Sequence, residues 1–91
     1  MKLRGEFVVR QVMDCVTAIP VGATALQLNG MILLNDVSRV IWECLSKGST
    51  VDQMVTAVTD QFEVSQQEAK EDVLEFLDKL RQTQLLDEES L

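Results

Sequence analysis

Side chains that commonly carry out acid–base or nucleophilic chemistry are scarce in this 91-residue chain. It contains no histidine, and its two cysteines, Cys15 and Cys44, stand 29 positions apart. Without a histidine or a Cys-x-x-Cys pair, neither a zinc site nor a redox pair can be built. The acidic residues are scattered along polar stretches rather than paired in an apolar setting. We therefore expect no catalysis, no metal and no cofactor, and we expect both thiols to be buried.

The charge of the chain is divided unevenly. Residues 1–50 have a balance of +1, whereas residues 51–91 have a balance of −8. An anionic surface of this kind repels phosphate backbones and lipid headgroups, so it favours a neutral or basic partner over nucleic acid or membrane. No run approaches the ~18 apolar residues of a membrane span, and no signal peptide is apparent. We therefore expect a cytoplasmic protein.

The first third of the chain is patterned for β-structure. The β-branched run from Phe7 to Val12 is followed by the turn residue Asp14 and by a second run from Val16 to Ile19, which predicts a hairpin. A third run, Ala25–Leu34, contains Asn29-Gly30. That dipeptide is interpreted as a bulge in one bent strand, with a turn as the alternative.

Three helices are predicted in the remainder of the chain. Asn35 precedes an apolar stripe that Gly48 closes, which is typical of an N-cap and a C-terminal glycine. Thr50 with Gln53 and Ser65 with Glu68 have the spacing of capping boxes that open two further helices. The last helix is predicted to run to Leu85-Leu86. One domain is expected over residues 3–87, followed by a frayed acidic tail at 88–91.

These elements, in this order, resemble the PqqD family of recognition elements for ribosomally made, modified peptides. The resemblance is carried by four stretches: Val8-Val9-Arg10, Leu34-Asn35-Asp36 with Val40 to Leu45, Thr50-Val51-Asp52, and Asp72 to Leu80 with the end at Leu85-Leu86. It covers roughly Leu3 to Asp87. The chain departs from the family pattern at Val37-Ser38 and at Met13-Asp14, where the family often has glycine.

The resemblance implies an α+β fold in which a three-stranded antiparallel sheet is followed by a three-helix, winged helix-turn-helix-like bundle. It also implies a non-catalytic module that captures the leader segment of a precursor peptide and presents it to a modifying enzyme, often a radical S-adenosylmethionine enzyme. The leader would add as a strand to the third strand, beside the third helix. A sheet edge suits this task because its unpaired main-chain groups can bond an extended peptide. Such an edge also allows a monomer or a strand-paired or swapped dimer.

The candidate peptide-binding residues follow from this interpretation. They are Leu26, Gln27, Leu28, Asn29, Gly30 and Met31 on the third strand, and Asp72, Val73, Glu75, Phe76, Lys79 and Leu80 on the third helix. Val73, Phe76 and Leu80 are expected to be shared between the core and the groove. Trp42 is interpreted mainly as a packing residue.

Two other classes of protein fit less well. A winged-helix transcription regulator would need a basic recognition helix, whereas the third helix is dominated by acidic residues. An acyl carrier protein would need an Asp-Ser-Leu site, and the nearest string is Asp36-Val37-Ser38-Arg39. The sequence therefore favours peptide binding, with DNA binding as the alternative.

Overall fold

The computed structural model describes residues 1–28 and 30–88. Its elements are β1 (Lys2–Leu3), β2 (Phe7–Val12), β3 (Cys15–Pro20), α1 (Ala23–Gln27), β4 (Ile32–Leu34), α2 (Asp36–Lys47), α3 (Val51–Gln61), α4 (Gln66–Gln82) and β5 (Leu86–Asp87). This confirms the α+β class and the three-stranded antiparallel sheet, which has the order β2-β3-β4. Residues Gly5–Asp36 form one compact unit, the sheet unit. Met1–Arg4 and the chain from Val37 onward form a second, the helical unit.

The predicted hairpin is confirmed in the sheet unit. β2 pairs with β3 from Phe7↔Pro20 to Val12↔Cys15, leaving Met13 and Asp14 as a two-residue turn. Met13 has a φ of 58°, in the left-handed region that favours glycine. The turn therefore forms at the predicted place, with a methionine in a backbone conformation that glycine adopts at lower cost.

The third strand is shorter than predicted, and Pro20 accounts for this. Val21 donates its N–H to the Glu6 carbonyl oxygen at 3.0 Å. Because hydrogen-bonding direction alternates along a strand, this bond points the main-chain groups of Val16, Ala18 and Pro20 toward β4. Ala18 pairs with Ile32, so the next bonded position would place Gly30 opposite Pro20. Proline has no N–H to donate, and the ladder ends at Ile32.

Residues that were predicted to begin the third strand form the short helix α1 instead. The prediction of a strand over Ala25–Leu34 is therefore wrong for Ala25–Gln27. The helix lies between Gly22 and Gly30, whose φ angles are 59° and 103°. Thr24 anchors it by accepting a hydrogen bond from the Glu6 N–H at 2.7 Å. Whether Asn29-Gly30 is a bulge or a turn lies outside the described residues, because Asn29 is not among them.

The core of the helical unit is aliphatic. Its largest fully buried side chains are Ile41, Leu45, Met54, Leu77, Val58 and Val73. They come from α2, α3 and α4, and α3 packs against α4. Trp42 is buried as well, which agrees with the predicted packing role.

Local capping signals place the helix starts where they were predicted. Thr50 and Gln53 form the reciprocal capping box: the Gln53 N–H donates to Thr50 Oγ1 at 3.2 Å, and the Thr50 N–H donates to Gln53 Oε1 at 3.0 Å. Ser65 Oγ accepts from the Glu68 N–H at 3.1 Å. Each bond satisfies an N–H that the helix cannot pair internally.

The last helix ends earlier than predicted. α4 stops at Gln82 and Thr83 caps it, while Leu86 belongs to β5, so the expected end at Leu85-Leu86 is wrong. β5 pairs with β1, with Lys2 opposite Asp87 and Leu3 opposite Leu86. This pairing was missed because a two-residue strand has no periodicity that sequence reasoning can detect.

The N-terminal segment connects two places in the helical unit. The Ser49 N–H donates to the Met1 carbonyl oxygen at 2.9 Å, and the Arg4 N–H donates to the Leu85 carbonyl oxygen at 2.7 Å. Gly48, whose φ is 87°, lies against the side chain of Lys2. Residues 1–4 thus tie the corner between α2 and α3 to the end of α4. Among the described residues no helix is long and apolar enough to span a bilayer.

The two thiols differ in their surroundings. Cys15 is exposed at the hairpin, so the expectation that it would be buried is wrong. It lies opposite Val12 in the last pair of the β2–β3 ladder, next to the two-residue turn. Cys44 is half-buried, and burial, followed by the charge of Glu43, raises the pKa of its thiol. A raised pKa keeps this thiol protonated and weakens it as a nucleophile.

Candidate peptide-binding surfaces

The free edge of β4 is the first candidate surface. In the register with β3, Ile32 and Leu34 direct their main-chain groups toward β3, so Leu33 directs its N–H and C=O away from the sheet. Leu33 lies across from Thr17, which lies across from Arg10, so the three side chains share one face. The Leu33 side chain is 69% exposed. Within residues 1–28 and 30–88 no strand pairs with this edge, which therefore combines outward-facing main-chain groups with an accessible aliphatic side chain.

Leu33 was not among the predicted site residues. The prediction placed the edge over Ala25–Leu33 and chose residues 26–31 as its contacts, because the apolar run was interpreted as one long strand. The signal that could have corrected it was Pro20, whose position in the central strand limits how far its neighbour can pair.

The predicted strand residues lie around this edge rather than on it. Leu26 and Gln27 are in α1, and Leu28 is its C-cap residue. Gly30 and Met31 are in the connection to β4. Leu26 is 88% exposed and Met31 is 59% exposed, so the sheet unit presents accessible apolar side chains just before the strand. Asn29 lies outside the described residues.

The predicted residues of α4 separate into two groups. Val73, Phe76 and Leu80 are buried and belong to the core. Asp72, Glu75 and Lys79 are exposed. At 100° per residue these three fall within an arc of about 60°, so they share one flank of the helix. α4 therefore presents a charged flank, with two carboxylates and one ammonium group, beside its apolar face.

A further exposed apolar residue lies elsewhere on α4. Leu74 is 47% exposed, although the helix buries its other large aliphatic side chains. It lies about 160° round the helix from Asp72, well away from the charged flank. Its neighbourhood contains Asp78, which accepts a hydrogen bond from Gln82 Nε2 at 3.0 Å and lies 3.7 Å from Arg81 Nη1.

The described residues contain no group of three or more His, Cys, Asp or Glu side chains that could hold a metal ion. Arg81 and Glu88 form a two-bond ion pair on the surface: Arg81 Nη2 donates to Glu88 Oε1 at 2.7 Å, and Arg81 Nε donates to Glu88 Oε2 at 3.2 Å. This two-bond geometry lowers the pKa of the Glu88 carboxyl. The pair connects the end of α4 to the residue after β5.

The elements together define a small α+β fold. An antiparallel sheet with a short, accessible edge precedes, along the chain, a helical unit that contains the long amphipathic helix α4. A family model described as "Coenzyme PQQ synthesis protein D (PqqD)" matches residues 22–86, which is more than half of the chain. The chain belongs to the PqqD family. The match begins at Gly22, so the hairpin residues Val8-Val9-Arg10, which contributed to the resemblance, lie outside it.

A solved structure shares this fold. It is described as "TbiB1 in Complex with the TbiA(beta) Leader Peptide" and is 22% identical to the chain, with a TM-score of 0.73. The alignment covers 100% of both chains. No curated protein matches the sequence significantly.

Proposed function

We propose that this chain binds the leader segment of a ribosomally synthesised precursor peptide and presents it to a modifying enzyme, without catalysing a reaction itself. Membership of the PqqD family supports this role, as does the shared fold of a protein that was solved with a leader peptide. The observation that carries the proposal is the free edge of β4, where Leu33 directs both main-chain groups outward. An extended peptide is the ligand that such an edge fits.

The peptide adds to β4 as a further strand. Its N–H and C=O groups bond those of Leu33, while the exposed side chains of Leu26, Met31 and Leu33 supply apolar contact. Gln27, Leu28 and Gly30, which sequence analysis also selected, precede this strand and are further candidate contacts. Asn29, selected with them, lies outside the described residues. Main-chain bonding of this kind holds many sequences, so selectivity must come from the side chains.

The flank of α4 that carries Asp72, Glu75 and Lys79 is a second candidate surface for the leader segment. Its charges select complementary charges on the ligand and speed association at low salt. Val73, Phe76 and Leu80 act indirectly in this arrangement. They are buried, and they hold the helix in place.

A titration followed by NMR tests the proposal. The probes are synthetic N-terminal segments of the short open reading frames that flank the gene, added to the ¹⁵N-labelled full chain. We expect one segment to bind and to shift the amide signals of Leu33 and of the exposed flank of α4. If no segment produces a shift, peptide binding is contradicted. Shifts confined to other elements would contradict the proposed surfaces.

A matched pair of variants examines the helical contact. Lys79 and Lys70 are both exposed on α4, but they lie about 180° apart around the helix, and only Lys79 is on the proposed flank. We expect Lys79→Glu to change affinity for the binding segment by about threefold or more, an electrostatic effect that added salt should diminish, and Lys70→Glu to leave it nearly unchanged. If both variants change the affinity equally, the effect comes from net charge alone and the proposed flank is contradicted.

The modifying enzyme is the other half of the proposal. Family resemblance favours a radical S-adenosylmethionine enzyme. Co-expression of the chain with such an enzyme from the same gene neighbourhood should yield a complex in size-exclusion chromatography, or a modified peptide only when the chain is present. Light scattering on the same samples distinguishes a monomer from a strand-paired or swapped dimer.

A further inference from the structure

The sheet has a second edge, on the outer side of β2. Among the strands that the structure describes, none pairs with this side of β2. We propose that this edge pairs with the same edge of a second copy of the chain, in antiparallel direction and with Val9 facing its own copy. The proposal goes beyond the proposed function, because β2 and β4 lie at opposite edges of the sheet. A dimer of this kind leaves the outer edge of β4 accessible in both copies.

The main-chain groups that would form the new ladder are set by alternation along β2. The Val21 N–H donates to the Glu6 carbonyl oxygen at 3.0 Å, so Glu6 bonds toward the β3 side. Val9 and Gln11 lie an odd number of residues further on, and their N–H and C=O groups therefore face away from β3. Both side chains are exposed, Val9 by 43%. This stretch of the edge is therefore accessible to another strand.

Two-fold symmetry limits the register of the pairing. In a symmetric antiparallel pair one residue lies at the axis and faces its own copy. With Val9 at the axis, residues 7–11 of the two copies overlap, and the two Val9 residues exchange both main-chain bonds. Arg10 at the axis gives an overlap of the same length but places two guanidinium groups opposite each other, which is unfavourable. Val8 at the axis overlaps only residues 7–9, since β2 begins at residue 7.

The side chains on one face of the sheet favour the same register. Val9 lies opposite Ala18, which lies opposite Ile32, so these three residues form an apolar row across the sheet. Ala18 is fully buried and Ile32 is half-buried. In the dimer the row continues into the partner's Val9, and the aliphatic pair loses contact with water. The new contact therefore extends a row that is already partly buried.

Charge on the other face is also compatible with a second copy. Arg10 is the only charged residue in β2, and a charge on an edge strand commonly opposes self-pairing. In the Val9 register, however, it lies opposite the partner's Val8 and diagonal to the partner's Glu6. Its other diagonal neighbour is the partner's Arg10, so the guanidinium turns toward the carboxylate. Diagonal neighbours are about 7–8 Å apart, within reach of a long side chain, and symmetry forms this contact twice.

The length of the overlap sets the strength of the dimer. Pairing over residues 7–11 buries less than the roughly 1,200 Å² at which stable interfaces begin. We therefore expect a weak dimer that forms as the concentration of the chain rises.

Sedimentation equilibrium over a series of chain concentrations, under reducing conditions and without peptide, tests the proposal. Wild type should show a monomer–dimer equilibrium. Val9→Lys places two ammonium groups opposite each other at the axis and should weaken the dimer about tenfold or more. Val12→Lys is the matched control, since Val12 is exposed by 47% on the same strand but does not face its own copy, and it should not weaken the dimer.

Circular dichroism verifies that both variants are folded. Val9→Pro replaces Val9→Lys if the lysine variant is not folded, because proline removes an N–H that faces outward and leaves the bonds to β3 intact. Wild type that stays monomeric at every concentration would overturn the proposal. Equal weakening by substitutions at Val9 and Val12 would overturn it as well.

Disulfide cross-linking examines the register. Val8→Cys, Val9→Cys and Arg10→Cys are each prepared with Cys15→Ser and oxidised mildly. Facing Cα atoms in a hydrogen-bonded pair are about 5.5 Å apart, a separation that a disulfide spans. We expect Val9→Cys to form covalent dimer fastest, whereas a faster reaction at either neighbour would overturn the Val9 register. No peptide is present in either experiment, so their failure would leave the proposed leader binding standing.

Discussion

The Leu85 N–H donates to the Leu80 carbonyl oxygen at 2.8 Å, five residues back along the chain. With the bond from the Gln84 N–H to the Arg81 carbonyl oxygen at 3.1 Å, it forms a Schellman motif at the end of α4. Leu80 and Leu85, the residues that commonly make the hydrophobic contact of this motif, are both buried. The motif turns the chain into β5 and so into its pairing with β1.

The residue at the centre of this motif is unusual. Gln84 has a φ of 62°, a left-handed conformation that glycine adopts at lower cost. We expect Gln84→Gly to raise the free energy of unfolding by about 0.5–1 kcal/mol. Urea unfolding followed by circular dichroism measures this. Gln67→Gly, within the first turns of α4, is the control and should lower stability. Destabilisation by both substitutions would exclude the left-handed conformation at Gln84.

The hairpin turn allows a similar test in the sheet unit. Met13 has a φ of 58° and its side chain is 90% exposed, so replacing it removes strain without removing buried contacts. We expect Met13→Gly to increase stability by about 1 kcal/mol. Gln11→Gly, in the adjacent strand, should decrease it. Thermal unfolding of the two variants gives the comparison, and a loss of stability in Met13→Gly would contradict the turn geometry.

The capping box of α3 predicts that the protein loses stability when the Thr50 side chain is shortened. Thr50→Ala removes the acceptor for the Gln53 N–H and should cost about 1 kcal/mol. Thr56→Ala is a matched control, since Thr56 is exposed inside the same helix and alanine is the better helix former. Denaturant midpoints at constant m-value report both effects. If Thr56→Ala loses as much stability as Thr50→Ala, the capping hydrogen bonds do not contribute to the stability of the protein.

The pairing of β1 with β5 predicts a role for the first residues of the chain. Leu3 is half-buried and lies opposite Leu86, so Leu3→Ala should destabilise the helical unit by about 1–2 kcal/mol. Amide exchange should accelerate at Arg4, whose N–H bonds the Leu85 carbonyl oxygen. Arg4→Ala retains that main-chain bond and should have little effect. Unaltered exchange in Leu3→Ala would mean that the ribbon is not formed in solution.

The ion pair between Arg81 and Glu88 predicts a pH dependence. Its hydrogen bonds lower the pKa of Glu88 in the folded state below its value in the unfolded chain. The contribution of the pair to stability is therefore present above the unfolded-state pKa and is lost as the pH falls through the lowered folded-state pKa. Carboxyl NMR titration should show that Arg81→Gln raises the pKa of Glu88, and 1 M salt should reduce the difference. An identical titration in the variant would contradict the pair.

Helix starts were predictable because the interactions that set them are local. Thr50 with Gln53 and Ser65 with Glu68 lie three residues apart, so spacing alone identifies the caps. Family membership could likewise be predicted from short sequence motifs. The contact residues on the sheet were harder to predict, because the prediction extended the third strand over residues that form α1.

The amino-acid sequence by itself determined the α+β class, the hairpin, the three long helices with their caps and the lack of histidine-based chemistry, because each depends on composition or on neighbours a few residues apart. Tertiary structure alone decided the extent of β4, the exposure of Leu33 and the pairing of β1 with β5. The physical reason is that a strand's length depends on what its partner can donate. Pro20 limits a strand twelve residues further on, and Leu86 pairs with Leu3 from the other end of the chain.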